Sequence, residues 1–309
     1  MKLEMQFETA FFREETICGY RVSEKQKKIW ACELDLAQKF MDVCDKYNIQ
    51  YIAFAGTLLG AVRHHGFIPW DDDMDFCMLR PEFEKLLAIG ESEFKGPYFF
   101  QTSLTDRKYF CGYARLRNST TTGVIQGHGE GYNNGIYIDI FVMDGYIEDQ
   151  AEYEKQVRKM QNREKFLRYA ESEICCSNPI KYAIRKLIQP FLANRKIYEY
   201  SYAKYQKALQ INNQNTDRIT FMTHNPSLRE SYWMYKSDFN EIIRLPFHQL
   251  MLPAPKEYDK VLKNIYGDYM QYPPVEQRGE WHNGIIHFEP DIPYEEYFKK
   301  VKTDACNHA

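Results

Sequence analysis

Four aspartates, Asp71, Asp72, Asp73 and Asp75, crowd the run Phe67-Ile-Pro-Trp-Asp-Asp-Asp-Met-Asp-Phe76. Carboxylates packed this closely repel one another, so a fold that holds them must leave them in water or set a cation among them. In a strand, residues two apart share a face and stand about 6–7 Å apart. Asp71, Asp73 and Asp75 are therefore expected to point one way and Asp72 the other. A solvated acidic turn after a proline is the plain alternative, but here Trp70 and Phe76 close the run in. Hard carboxylate oxygens suit Mg2+ or Mn2+, which keep part of their water and take further ligands from substrate phosphates. Asp73 and Asp75 are the expected ligands. The glycine and closing glutamate of a calcium loop are missing.

Two other places supply partners for such a site. Asp139 lies between Ile138 and Ile140 in the apolar run Ile136–Val142, where an unpaired charge is hard to tolerate, and it is the candidate third carboxylate. Upstream, Phe54-Ala-Gly-Thr57 sets Gly56 at a strand-to-helix turn, where exposed N–H groups and the Thr57 hydroxyl suit a phosphate. Any tight turn also wants glycine, and no Gly-Lys-Ser/Thr follows, so this is no Walker loop. Arg63, about two turns into the next helix, is placed to hold a phosphate oxygen.

The pattern around these residues predicts an α+β fold. Ser23 and Gln26 read as a capping box, and Trp30, Leu34, Ala37, Met41 and Cys44 form a helical stripe ending near Tyr47-Asn48. Tyr51–Ala55 reads as a strand, Leu58–His64 as a short helix, and Arg80–Leu87 as another helix. Tyr98–Gln101, Tyr113–Arg117 and Ile136–Val142 read as strands, with a glycine-rich loop from Gly123 to Gly135 before the last. Ile242–Phe247 and Gln249–Leu252 suggest a hairpin, and Lys256–Tyr266 a helix closed by Gly267. The expected organisation is an N-terminal arm over 1–22, a catalytic core over 23–149, a helical insertion over 150–214, and a C-terminal part over 215–309 that completes the core.

Charge separates the insertion from the rest. From Lys155 to Lys207 thirteen Lys or Arg face four Glu, in a chain whose net charge is −3. A net negative chain offers no surplus with which to neutralise nucleic-acid phosphates, so a general nucleic-acid binder is excluded. The basic stretch is either a solvated helical subdomain or a surface resting on an anionic membrane. No apolar run approaches a membrane span, and the opening Met-Lys-Leu-Glu-Met-Gln-Phe-Glu lacks the layout of a secretion signal. None of the eight cysteines forms a C-x-x-C pair, and the adjacent Cys175 and Cys176 make a poor zinc clip. Free thiols in a reducing cytoplasm are the simplest account.

The run Gly56-Thr-Leu-Leu-Gly-Ala-Val-Arg-His-His-Gly-Phe-Ile-Pro-Trp-Asp-Asp-Asp-Met-Asp75 resembles the signature of the LicD family, which includes bacterial phosphocholine transferases and, more distantly, fukutin-related enzymes. The resemblance continues through Arg80–Leu87 and Gly135–Gly145, and returns at Leu245-Pro-Phe247 and Tyr266–Met270. Where the family often has Pro-Leu, this chain has Val142-Met143. The resemblance implies a nucleotidyltransferase-like mixed sheet flanked by helices, with Gly56-Thr57 beside phosphates and Asp73, Asp75 and Asp139 as catalytic and metal-binding acids. It implies transfer of a phosphorylated alcohol from a CDP-alcohol, foremost phosphocholine from CDP-choline, to a hydroxyl of a cell-surface glycan or its lipid-linked precursor. Asp139 is then the preferred base, Arg63 and Arg117 are phosphate clamps, and Trp70 either faces a quaternary ammonium or packs in the core. His282, after Arg278 and Trp281, is a candidate to close the site. The expected location is the cytoplasm, with peripheral contact at the inner membrane face. Two other readings use the same acids differently: a D-x-D glycosyltransferase acting on a nucleotide sugar, and a non-catalytic glycan- or membrane-binding protein.

Overall fold

The computed structural model describes residues 1–125, 131–171, 178–221, 226–279 and 285–307. It is an α+β molecule in which helices flank a mixed sheet. Helix α1 (Glu24–Lys46) starts at Ser23, whose Oγ accepts the Gln26 N–H at 3.2 Å. Its stripe of Trp30, Leu34, Ala37, Met41 and Cys44 is buried throughout. The expected capping box is only half formed. The Gln26 side chain does not reach back to Ser23 but donates to the Asp71 carbonyl at 2.8 Å, tying the helix start to the acidic run.

A short strand β1 (Ile52–Ala53) leads into α2 (Ala55–Arg63), and β2 (Asp75–Leu79) is followed at once by α3 (Arg80–Glu93). Strand β1 is shorter than the expected Tyr51–Ala55 because the chain turns at Ala55, which takes φ +46 and opens α2. Strands β3 (Tyr98–Gln101), β4 (Ala114–Asn118) and the ten-residue β5 (Ile136–Gly145) follow. Strand β5 is the spine. It pairs in parallel with β2, with Asp139 opposite Asp75, and antiparallel with β4, with Asp139 opposite Arg115. Every residue of β5 is buried, as its apolar sequence requires.

Helices α4 (Gln150–Glu171), α5 (Pro179–Leu192) and α6 (Arg195–Leu209) make up the insertion. Helices α4 and α6 bury Met160, Leu167, Tyr198, Tyr202 and Tyr205 with Phe110 in a small core separate from the main one. A buried polar bridge fastens this block to the sheet. Arg80 donates to Asp144 from Nε at 2.9 Å and from Nη2, and Nη1 donates to Gln206 of α6 at 2.6 Å.

The C-terminal part returns to the sheet through β6 (Arg218–Thr220) and β7 (Trp233–Tyr235), with β6 pairing to Asp144 and Gly145. The expected hairpin forms from β8 (Ile242–Phe247) and β9 (Leu250–Pro255). Helix α7 (Tyr258–Tyr266) is closed by Gly267 at φ +66. The N-terminal arm is held to the core by Asp35, whose Oδ1 accepts the N–H groups of Glu4 and Met5, both at 2.7 Å.

The Arg80–Asp144 bridge gives a stability prediction. Removing one partner of a buried pair leaves the other charge uncompensated, which costs about 3–5 kcal/mol. Asp144→Ala is expected to lower the urea-unfolding free energy by that order, and an unchanged midpoint would show that the bridge does not hold the insertion to the sheet.

Candidate active site

The acidic run leaves the loop after α2 and enters β2 at Asp75. Only Asp75 lies in a regular strand, yet the alternation expected of a strand is present. Asp71, Asp73 and Asp75 line one cavity of about 430 Å3. Asp72 points away, to a hollow with Ser23, Lys25 and His287. The backbone is pinned from both sides. The Asp71 carbonyl accepts from Gln26 Nε2 and from Trp30 Nε1 at 3.0 Å, and the Asp75 N–H donates to Thr57 Oγ1 at 2.7 Å.

Gly56 also lines the cavity, and a Cβ there would stand 2.8 Å from Asp71 Oδ2, so only glycine lets this carboxylate lie on the helix turn. Thr57 is buried and does not line the cavity; its Oγ1 is the acceptor that fixes β2 against α2. Ala55, at the same turn and also on the cavity wall, holds a left-handed backbone that costs a non-glycine residue about 1–2 kcal/mol.

Asp139 stands one strand over from Asp75 and does not line the cavity. Its carboxylate is held by Arg115, with Nε to Oδ1 at 2.6 Å and Nη2 to Oδ2 at 3.5 Å. Asp75, Asp139 and Arg115 thus form a row across three strands. The Arg115 guanidinium also lies 4.0 Å from the Tyr137 ring centre. The sequence does not single out Arg115, because its place opposite Asp139 depends on strand register. Arg117, two residues on, is fully buried, donating to Gln101 Oε1 at 2.5 Å and to the Gly135 carbonyl at 2.6 Å. It does not line the cavity.

Beneath the aspartates lies a group that the sequence reading passed over. Glu33 of α1 is fully buried, and burial, followed by the charges of Asp72, Asp73, Asp71 and Asp75, pushes its carboxyl well above the usual range. Its Oε2 has no hydrogen-bonding partner among the described residues. The signal was available, since Glu33 is an acid set beside Trp30 and Leu34 on the buried side of the helix.

The rest of the cavity wall brings Arg63 and Asp268 together with a set of aromatic rings. Arg63 is fastened to the C-terminal segment, donating from Nη1 to the carbonyls of Tyr269 at 2.6 Å and Gln271 at 3.2 Å. Trp70 is both buried and cavity-lining, so its packing and its exposure to the cavity are not alternatives. Its ring meets Tyr272 edge to face at 6.1 Å, and the Arg278 guanidinium lies 4.8 Å from its centre. Further in, Phe141, Phe221, Tyr232 and Tyr266 complete the wall. His282 and Trp281 lie outside the described residues, as do Cys175, Cys176, Gly127 and Gly129.

A divalent ion suits this donor set. Asp71, Asp73 and Asp75 open on one cavity, with Asp268 also on its wall, and the buried Oε2 of Glu33 has no hydrogen-bonding partner among the described residues. Among the described residues no three His, Cys, Asp or Glu side chains already converge as a metal cage.

Fold and cavity together define an α+β domain whose sheet presents acidic residues to a pocket of small-molecule size. Residues 48–190 match the LicD/FKTN/FKRP nucleotidyltransferase domain. The lipopolysaccharide cholinephosphotransferase LicD of Haemophilus influenzae is 28% identical over 254 residues, covering 81% of this chain and 92% of that protein. An uncharacterised protein of Rickettsia prowazekii is 32% identical over 152 residues, 47% of this chain and 50% of its own. Another, from Rickettsia typhi, is 41% identical over 80 residues, 22% of this chain and 24% of its own.

Two histidines brace the loop that carries the acidic run. His248 Nε2 accepts the Phe67 N–H at 3.3 Å, and His64 Nε2 accepts from Arg63 Nε at 3.0 Å. Both roles need a neutral ring. Burial first, then Lys27 for His248 and Arg63 for His64, lowers each to about 4. A base whose folded pKa is depressed adds stability above its unfolded value of about 6.5, and that stability is lost as pH falls towards the folded value. The melting temperature is expected to drop between about pH 6.5 and about 4. His248→Gln should flatten that slope, and an equal slope in the variant would refute the assignment.

Proposed function

We propose that this protein transfers a phosphorylated alcohol, foremost phosphocholine from CDP-choline, to a hydroxyl of a cell-surface glycan or its lipid-linked precursor. The observation that carries the reading is the cavity itself, which joins Asp71, Asp73 and Asp75 to an aromatic and arginine-bearing wall. The match to the LicD/FKTN/FKRP domain and the likeness to a lipopolysaccharide cholinephosphotransferase support the same chemistry.

In this reading Asp73 and Asp75 would hold Mg2+ or Mn2+, which would supply charge neutralisation at the diphosphate and the departing CMP. Arg63 meets a phosphate oxygen from the opposite wall. The Gly56 turn brings backbone N–H groups at the start of α2 to the phosphates. Trp70 and the cavity tyrosines offer ring faces to a quaternary ammonium, which aromatic faces attract. Asp139 is proposed as the third carboxylate and as the acceptor of the attacking hydroxyl's proton. Arg115 must then release one carboxylate oxygen, and the longer contact, 3.5 Å against 2.6 Å, marks Oδ2 as the one more easily freed.

The test is CMP release from a panel of CDP-choline, CDP-ethanolamine, CDP-ribitol and CDP-glycerol with Mg2+ and a glycan acceptor. UDP- and GDP-sugars run in parallel. Asp73→Asn is expected to lower kcat/KM about a thousandfold, equivalent to about 4 kcal/mol, without unfolding the protein. Undiminished turnover by that variant would remove the metal role. Turnover confined to the nucleotide sugars would replace the proposal with glycosyl transfer.

A further inference from the structure

Helix α5 turns its polar side to the protein and its apolar side away. Successive helical residues are rotated by about 100°, which puts Ile180, Ile184, Leu187 and Phe191 on one stripe and Arg185 and Gln189 opposite. A helix on a globular protein normally buries such a stripe. Here the attachment is made by the side carrying Arg185 and Gln189, with Leu192 of the same side packed on the small core. Arg185 Nη2 donates to the Tyr169 carbonyl at 2.8 Å, its guanidinium lies 3.7 Å from the Tyr169 ring centre, and Gln189 Nε2 donates to the Ala170 carbonyl at 3.3 Å. Those carbonyls belong to the last turn of α4, where a helix leaves acceptors without partners of its own. The attachment therefore has a specific cause, and it fixes which way α5 faces.

The consequence is an apolar ridge in solvent. Leu187 is 82% exposed, Ile180 70% and Phe191 67%, and no residue of α5 is buried. Contiguous exposure of this kind marks a contact surface, unlike scattered single apolar residues. The helix is fixed at its start, since Asn178 Oδ1 accepts the N–H groups of Ile180 at 3.0 Å and Lys181 at 3.1 Å. Lys181 and Lys186 flank the ridge on its two sides, and α5 contains no Asp or Glu.

We propose that α5 is a peripheral docking helix for an anionic lipid bilayer, with the ridge entering the headgroup and acyl boundary and Lys181 and Lys186 meeting lipid phosphates. A bilayer offers both complements at once, an apolar interior beneath a negative surface. A second copy of this chain does not, because a two-fold contact through α5 would bring the same lysines against each other. The proposal does not depend on which group the cavity transfers.

The test is co-sedimentation of the full chain with vesicles of phosphatidylglycerol and phosphatidylcholine in equal parts, and with phosphatidylcholine alone. The expected result is binding to the anionic vesicles that weakens as salt rises. Leu187→Ser with Phe191→Ser should lower partition at least tenfold, and Lys181→Ala with Lys186→Ala should weaken binding to the anionic vesicles alone. All four side chains lie on a helix without buried residues, so an unchanged circular dichroism spectrum and melting temperature are expected in both variants. No binding at low salt, or equal binding by the Leu187 and Phe191 variant, would overturn the proposal. Concentration-dependent association in sedimentation velocity that the same variant abolishes would give the ridge to a second copy and also overturn it.

Discussion

The structure is organised around negative charge that has been gathered and then confined. Four aspartates, Asp71, Asp72, Asp73 and Asp75, lie near enough to the buried Glu33 of α1 to raise its proton affinity further. Held in one place, carboxylates raise each other's proton affinity and push the backbone apart. The fold counters this with rigid neutral fastenings. Gln26 and Trp30 grip the Asp71 carbonyl, Thr57 holds the Asp75 amide, and Gly56 leaves room for the Asp71 carboxylate. Positive charge is kept to the edges, with Arg115 on Asp139 and Arg63 across the cavity. The result is a site whose shape is set by hydrogen bonds to backbone atoms.

Much of this was legible in the sequence, because local rules decide it. The stripe of α1, the strand Tyr98–Gln101, the hairpin and the Gly267 stop follow from periodicity and turn chemistry. The opposed directions of Asp72 and its neighbours followed from a period of two, which held even where the backbone is not a regular strand. Other features depend on which strand lies beside which, and no local pattern carries that. Arg115 and Arg117 share a face of β4, but only register sets Arg115 against Asp139 and leaves Arg117 under Gln101 and Gly135. Gln26 read as a cap because its spacing from Ser23 is right, while its side chain is used 45 residues away. The amphipathic pattern of α5 was visible too, but a pattern does not say which side meets the protein. The carbonyls at the end of α4 decide that.

The insertion illustrates how one chain can keep two cores. Phe110, on the connection between β3 and β4, belongs to the small aromatic core of α4 and α6, while Tyr113, three residues later, belongs to the main one. The Arg80–Asp144–Gln206 bridge crosses between them at the end of β5. Such a bridge is specific in geometry and weak in net energy, because desolvating the charges offsets most of their attraction.

Arg63 carries a consequence for how the molecule comes into being. Its guanidinium is bound to the carbonyls of Tyr269 and Gln271, about two hundred residues further along the chain. Tyr266, Tyr269 and Tyr272 form the same wall. The stretch that matches the LicD/FKTN/FKRP domain ends at residue 190. During synthesis the acids are thus made early and stand beside an open gap until the last part of the chain arrives to roof it. A fragment cut at residue 190 would keep Asp71, Asp73 and Asp75 and lose Tyr266, Asp268, Tyr269 and Tyr272, so the matched stretch and the walled cavity are different lengths of the same polypeptide.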